Sequence, residues 1–167
     1  MGPTSELPLT NSGISDSLVS LGIKPGELLF MHSSLSSLGP VEGGANTVVD
    51  ALLEVLGTNG TLVVPTFNGS IRKSNQPFDP NKTPSEVGSI TECVRNRPDS
   101  FRSRHLWQSM AAVGERAKEM MSVHRPTAWA GDGPFWKLYE WDARILLLGV
   151  PYFRSTFWHF IEQMVQP

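Results

Sequence analysis

His159 and Glu162 stand three residues apart in the segment Ser155–Val165, STFWHFIEQMV. Read as a helix, that segment places Phe157, Phe160, Ile161, Met164 and Val165 on one side. His159, Glu162, Gln163 and Gln166 fall on the other. Residues three apart on a helix have Cβ atoms roughly 5–6 Å from each other, so imidazole and carboxylate are within reach. A carboxylate beside a histidine fixes its tautomer and raises its basicity, which suits a general base near neutral pH. The same spacing also describes the solvated polar face of an amphipathic helix, so the pair needs a site around it.

A second chemical signal lies near the start. Glu27–His32 reads as a buried strand opening into Ser33-Ser-Leu-Ser-Ser-Leu-Gly39, with Gly43 and Gly44 ahead of a helix. Backbone N–H groups at such a helix start, with the helix dipole behind them, suit a phosphorylated ligand. The segment has neither a Walker lysine nor a G-x-G-x-x-G pattern, so by itself it also fits an ordinary Gly-rich turn.

Other reactive residue types read as structural. Cys93 sits mid-helix beside Val94, a position of packing rather than acyl transfer. His32 closes an apolar strand and is expected to be buried and hydrogen-bonded. His124, before Arg125-Pro126, is expected to be structural or exposed, and the five tryptophans to be core or rim. Asp79, in a polar stretch, is a candidate contact for a cationic acceptor, although loop aspartates more often make turns. The four histidines show no paired spacing of a metal site.

Positioning these residues requires a layered α/β fold. The pattern predicts helices over 14–21 and 46–56, a strand over 61–65, and a long loop over 67–82. Thr83-Pro-Ser-Glu86 reads as a capping box for a helix to Asn96, with Val87, Ile90 and Val94 inward. A strand over 109–113, a helix over 115–121, a helix over 134–139 capped by Asp132, and the apolar strand 145–150 precede the His159 helix. The expectation is three-layer-like: a mixed or mostly parallel sheet with helices on both faces, in a single domain spanning 1–167.

Bulk properties narrow the class. The 167 residues are 40% hydrophobic and 18% charged, with a net charge of −2, a globular composition that gives no reason to expect nucleic acid. No apolar run reaches the ~18 residues of a membrane span, and the start lacks a signal-peptide core. One cysteine excludes an internal disulfide and fits a reducing cytoplasm. Oligomeric state is left open.

Taken in order, several blocks together carry a family likeness. His32-Ser-Ser-Leu-Ser-Ser-Leu-Gly39, Gly43-Gly-Ala45 with Val49-Asp-Ala-Leu52, Gly60-Thr-Leu-Val-Val-Pro-Thr-Phe67 and Phe78-Asp-Pro80 open it. Thr83-Pro-Ser85 with Gly88, Arg102-Ser-Arg-His105, Ser109-Met-Ala-Ala-Val-Gly114, Leu146-Leu-Leu-Gly-Val150 and His159 with Glu162 follow. From about Leu18 to Glu162 the chain resembles the aminoglycoside 3-N-acetyltransferase family, departing from it at Leu106, where a proline is usual.

The resemblance implies acetyl-coenzyme A as donor, the 3-amino group of an aminoglycoside as acceptor, antibiotic resistance as the outcome, and no metal. It places coenzyme contacts near Ser33, Ser34, Leu35, Gly43 and Ser103, the base at His159 and its supporting carboxylate at Glu162. Family members continue past the His-x-x-Glu helix, so a sheet and an acceptor cleft incomplete at the C-terminus are expected. A related transferase using another amine, and a remnant that binds the coenzyme without turnover, remain as alternatives.

Overall fold

The computed structural model describes residues 7–165 apart from 75, 126 and 130. Five strands form one mixed sheet in the order β3-β4-β2-β1-β5. These are β1 (Leu28–Ser33), β2 (Thr61–Pro65), β3 (Phe101–Arg102), β4 (Met110–Gly114) and β5 (Arg144–Leu148). β1 pairs in parallel with β2 and β5, with Phe30 opposite Val63 and Ile145. β4 runs antiparallel to both β2 and β3. The expected mixed α/β sheet with helices on both faces is what the chain forms.

Alternation along β1 and β2 assigns the two layers. Leu29, Met31, Leu62 and Val64 point to the helices α1 (Asn11–Ser20), α2 (Ala45–Leu56) and α3 (Ser89–Arg95), meeting Leu18, Val48, Leu52, Ile90 and Val94. Leu28, Phe30 and Val63 point the opposite way, to α4 (Ala117–Ser122), α5 (Pro134–Glu140) and α6 (Phe157–Val165). Strands covered on both faces have no polar side to show, hence the unbroken run Leu-Leu-Phe-Met.

Several expectations change against this frame. The helix expected from Thr83 begins six residues later, at Ser89 with Gly88 as N-cap. Glu86 does not close a capping box: its carboxylate accepts from the N–H groups of Gly69 and Ser70 at 2.9 and 3.1 Å, pinning the preceding loop. Val87 is accordingly exposed, whereas Ile90 and Val94 are buried as expected. Asp132 does not cap α5, whose N-cap is Gly133 without a side-chain bond; it pairs with Arg125 instead. On α6, Phe160 is 1% exposed and Phe157 and Ile161 are partly covered, but Met164 and Val165 face out. Gln166 lies outside the described residues. β5, the most apolar strand by sequence, is a sheet edge with Ile145 exposed.

Arg102 is a structural hub that the sequence pattern does not advertise. Its guanidinium donates to the carbonyl oxygens of Thr66 (2.7 Å), Pro80 (3.3 Å) and Thr83, and stacks 5.0 Å from the Phe78 ring centroid. Burial, with Arg95 nearby, pulls its pKa down to about 10. The clamp fixes the long loop against the end of β2 that leads into the site.

Candidate active site

The C-terminal ends of the parallel strands β1, β2 and β5 open onto a cavity of about 910 Å³. Crevices at strand carboxyl ends are where α/β sheets bind ligands. Ser33, Ser34, Leu35, Ser36 and Ser37 line it, together with Gly39, Gly44, Gly149, Pro151, Arg154 and Thr156. A short 3-10 turn, Leu35–Leu38, presents the serines. Their hydroxyls bond one another, Ser34 to Ser36 at 3.2 Å and Ser37 to Ser34 at 2.9 Å.

Two backbone features shape this wall. Gly43 and Gly44 enter α2 at φ +72° and +64°, a left-handed region that a Cβ disfavours. α2 has no side-chain cap and no acidic residue in its first turn, so its first N–H groups stay available to an anion. Gly149, at φ +71°, lets β5 run close to the serine turn: a Cβ there would meet Ser34 O at 3.1 Å. Arg154 brings a guanidinium to the cavity.

A second, smaller cleft of about 440 Å³ adjoins it, lined by Phe67, Trp107, Gln108, Trp129, Thr156, His159, Glu162 and Gln163. His159 Nδ1 and Glu162 Oε2 are 3.1 Å apart. A carboxylate accepts, so this bond needs the proton on Nδ1 and leaves the Nε2 lone pair free. The pair is open, with side-chain exposures of 64% and 62%. Trp129 holds the imidazole edge-on at 6.3 Å between centroids and itself packs on Phe135 in the core. Phe67 and Thr156 line both clefts, so the two are neighbours.

The expected site residues distribute unevenly. Ser33, Ser34 and Leu35 share the large cavity; Gly43 does not line it, but its neighbour Gly44 does. Ser103 lies elsewhere, in a narrow cleft with His105 and Gln108, where its hydroxyl accepts from Met110 N–H at 3.0 Å. Asp79 belongs to a separate groove and makes a turn, its carboxylate accepting from Asn81 N–H at 2.8 Å and its carbonyl from Thr83 N–H at 2.8 Å. Cys93 lines neither cleft; its thiol donates a hydrogen bond to Asn46 Oδ1 at 2.9 Å, and burial pushes its pKa up. His105 shapes its own turn by accepting from Gln108 N–H at 2.9 Å. Phe67, Arg154 and Thr156 line the clefts although nothing in their spacing singles them out as site residues, and Trp129 stands at the rim, in line with its expected core-or-rim place. His32 is buried as expected but has no hydrogen bond on Nε2 among the described residues.

The sequence model of aminoglycoside 3-N-acetyltransferases matches residues 30–167. This chain belongs to that family. It is similar to aminoglycoside N(3)-acetyltransferase IX of Micromonospora chalcea, with 32% identity across 94% of this chain and 63% of that protein. Similarity to aminoglycoside N(3)-acetyltransferase III of Serratia marcescens is 34% across 92% of this chain and 64% of the relative. Among solved structures, the crystal structure of aminoglycoside acetyltransferase AAC(3)-Xa superposes with a TM-score of 0.89 at 34% identity, covering 95% of this chain and 62% of that one. The chain therefore spans less than two thirds of the length of these aminoglycoside 3-N-acetyltransferases. No helix among the described residues is long and apolar enough to cross a membrane.

Proposed function

We propose that this chain provides the donor cleft and the general base of an enzyme that transfers the acetyl group of acetyl-coenzyme A to the 3-amino group of an aminoglycoside. The observation that carries the reading is the His159–Glu162 pair, 3.1 Å apart, in a cleft sharing Phe67 and Thr156 with a larger Ser/Gly-lined cavity. A solved relative of 30% identity, in a histidine-to-alanine mutant form, is described in complex with apramycin, which supports an aminoglycoside as acceptor. Membership of the family supports acetyl-coenzyme A as donor. A reducing, cytoplasmic setting matches the single free cysteine.

The coenzyme's phosphates suit the uncapped start of α2, in a cavity that Arg154 also lines, and the pantetheine arm suits the channel past Ser33, Ser34 and Leu35. That path delivers the thioester to the junction at Phe67 and Thr156, within the neighbourhood of His159. There the acceptor nitrogen attacks the acyl carbon. The new C–N bond forms as the nitrogen loses a proton to His159 Nε2, and the C–S bond breaks to release the thiolate, which takes up a proton. Glu162 holds the ring and stabilises the imidazolium that results.

Thiol release from acetyl-coenzyme A with apramycin or gentamicin is the direct test. Wild type is expected to turn over, and His159→Ala to lose about 10²–10⁴-fold in kcat with an unchanged circular dichroism spectrum. Turnover equal to wild type in that variant removes His159 from the chemistry. The 64% exposure of the base favours one other reading, coenzyme binding without transfer. Calorimetric binding of coenzyme A by a wild type that shows no turnover would select it.

A further inference from the structure

Arg102 directs its whole guanidinium at chain that leads into the two clefts. Nε donates to the hydroxyls of Thr66 and Ser109 at 3.0 and 3.2 Å, Nη2 to the Thr66 carbonyl oxygen at 2.7 Å, and Nη1 to the carbonyl oxygens of Pro80 and Thr83. Thr66 and Ser109 are fully buried, and the Ser109 hydroxyl donates a second bond to the Thr66 carbonyl at 2.9 Å. Among the described residues no carboxylate forms an ion pair with Arg102. A largely desolvated cation without a counter-charge is unfavourable, so stability alone gives little reason for an arginine here.

The bonds converge on the backbone of one residue. The Thr66 carbonyl belongs to the peptide group joining Thr66 to Phe67, so Arg102 and Ser109 fix the plane on the N-terminal side of Phe67. The plane on its other side is held as well, because the Phe67 carbonyl oxygen accepts from Glu86 N–H at 2.9 Å. With both flanking planes fixed, the backbone torsions of Phe67 have little freedom and the direction of its Cβ is set. Phe67 lines both the serine-lined cavity and the cleft of His159. A shift of its ring therefore changes the donor wall and the wall beside the base at once. Such shifts carry kinetic weight, since a displacement of about 1 Å can cost on the order of 10²-fold in rate.

We propose that Arg102 is a positioning residue for acetyl transfer, acting through Phe67 to keep the donor cavity and the His159 cleft in register. The inference rests on reading those two clefts as the donor and base sides of one reaction. Arg102 itself lines neither cleft. A lysine keeps the charge but loses the planar fork that reaches Thr66, Ser109 and the 80–83 carbonyls together.

Thiol release with apramycin or gentamicin, coenzyme A calorimetry and melting temperature are measured on wild type, Arg102→Lys, Phe67→Ala and the double variant. Each single substitution is expected to lower kcat about tenfold or more, while Arg102→Lys changes coenzyme A affinity less than about threefold. In the Phe67→Ala background, Arg102→Lys is expected to lower kcat by less than about a further twofold, because the side chain through which it acts is gone. A clamp with a stability role alone lowers the melting temperature in both backgrounds and shows no such coupling. Full kcat in either single variant, additive losses in the double variant, or a loss of coenzyme A affinity as large as the loss of kcat overturns the inference and leaves the transfer reading standing. Should Arg102→Lys not fold, Ser109→Ala takes its place in the same cycle. A smaller loss of kcat is then expected, again absent once Phe67 is replaced, and an equal loss in both backgrounds overturns the inference. Wild type that binds coenzyme A without turnover overturns the transfer reading and this inference together.

Discussion

At the scale of single residues, exposure separates structural from chemical roles. The His159–Glu162 pair is more than half exposed on both sides, and such pairs contribute only ~0–1 kcal/mol to folding. Glu162→Gln is therefore expected to leave the melting temperature within a degree or two while lowering kcat in the thiol-release assay. A large stability loss with normal turnover would assign the carboxylate to the fold instead. His32 behaves in the opposite way. Burial depresses its pKa from 6.5 to about 4, so between those values the unfolded chain binds a proton that the folded ring refuses. Stability then falls as pH drops through that window, by up to about 3 kcal/mol. Chemical denaturation of wild type and His32→Phe at pH 7 and pH 4.5 measures this: the variant is expected to lose the part of the slope that His32 supplies. Glu92 adds to acid sensitivity at lower pH. Burial raises its pKa, but hydrogen bonds from Arg95, Ser85 N–H and Asn96 outweigh this and hold it near 2. Its contribution is present above pH 4.5 and disappears as pH falls towards 2.

At the scale of elements, α6 and the start of α2 carry the predictions. α6 reaches the core through Phe160, whose ring meets Phe135, Trp136, Tyr139 and Phe157. Phe160→Ala is expected to destabilise by ~3–5 kcal/mol and to displace His159 with its helix, whereas Val165→Ala, at a site 74% exposed, is expected to change little. Denaturant midpoints for the two variants check the contrast. The α2 entrance depends on backbone rather than side chains. A Cβ on Gly43 would meet the Thr47 hydroxyl in a backbone conformation that already disfavours it. Gly43→Ala is expected to weaken coenzyme A binding by calorimetry more than it lowers stability, through displacement of the α2 start, although Gly43 itself does not line the cavity.

At the scale of the whole molecule, the two layers are unequally finished. The central strands β1 and β2 are covered on both faces, but β5 is an edge of this sheet, and Ile145, Tyr152, Phe153 and Trp158 on and after it are exposed. An apolar edge strand with unpaired backbone groups invites pairing with another chain. The isolated polypeptide is expected to self-associate with rising concentration, and Ile145→Lys to reduce that association, as read by light scattering. Scattering that stays monomeric across the concentration range would show that this edge is not adhesive.

Composition and periodicity alone determined the layered α/β class and the positions of α2, β2 and α5. α2 rests on a 3.6-residue apolar repeat and β2 on an unbroken apolar strand, whereas α5 stands where expected although Asp132, read as its cap, pairs with Arg125. The same local rules failed where distant chain competed for the same groups. Glu86 left its capping box because Gly69 and Ser70 offered unpaired N–H groups, and Asp132 left its helix for Arg125. Met164 and Val165 satisfy the helical pattern yet face solvent, because periodicity names an apolar side without saying how much of it is covered. The His-x-x-Glu pair could be read from spacing, since both partners share one helical turn. Its cleft could not. Phe67, Trp129 and Thr156 meet only because the sheet order sets β2 and β5 on either side of β1, and the unpaired nitrogen of His32 exists only where burial excludes water.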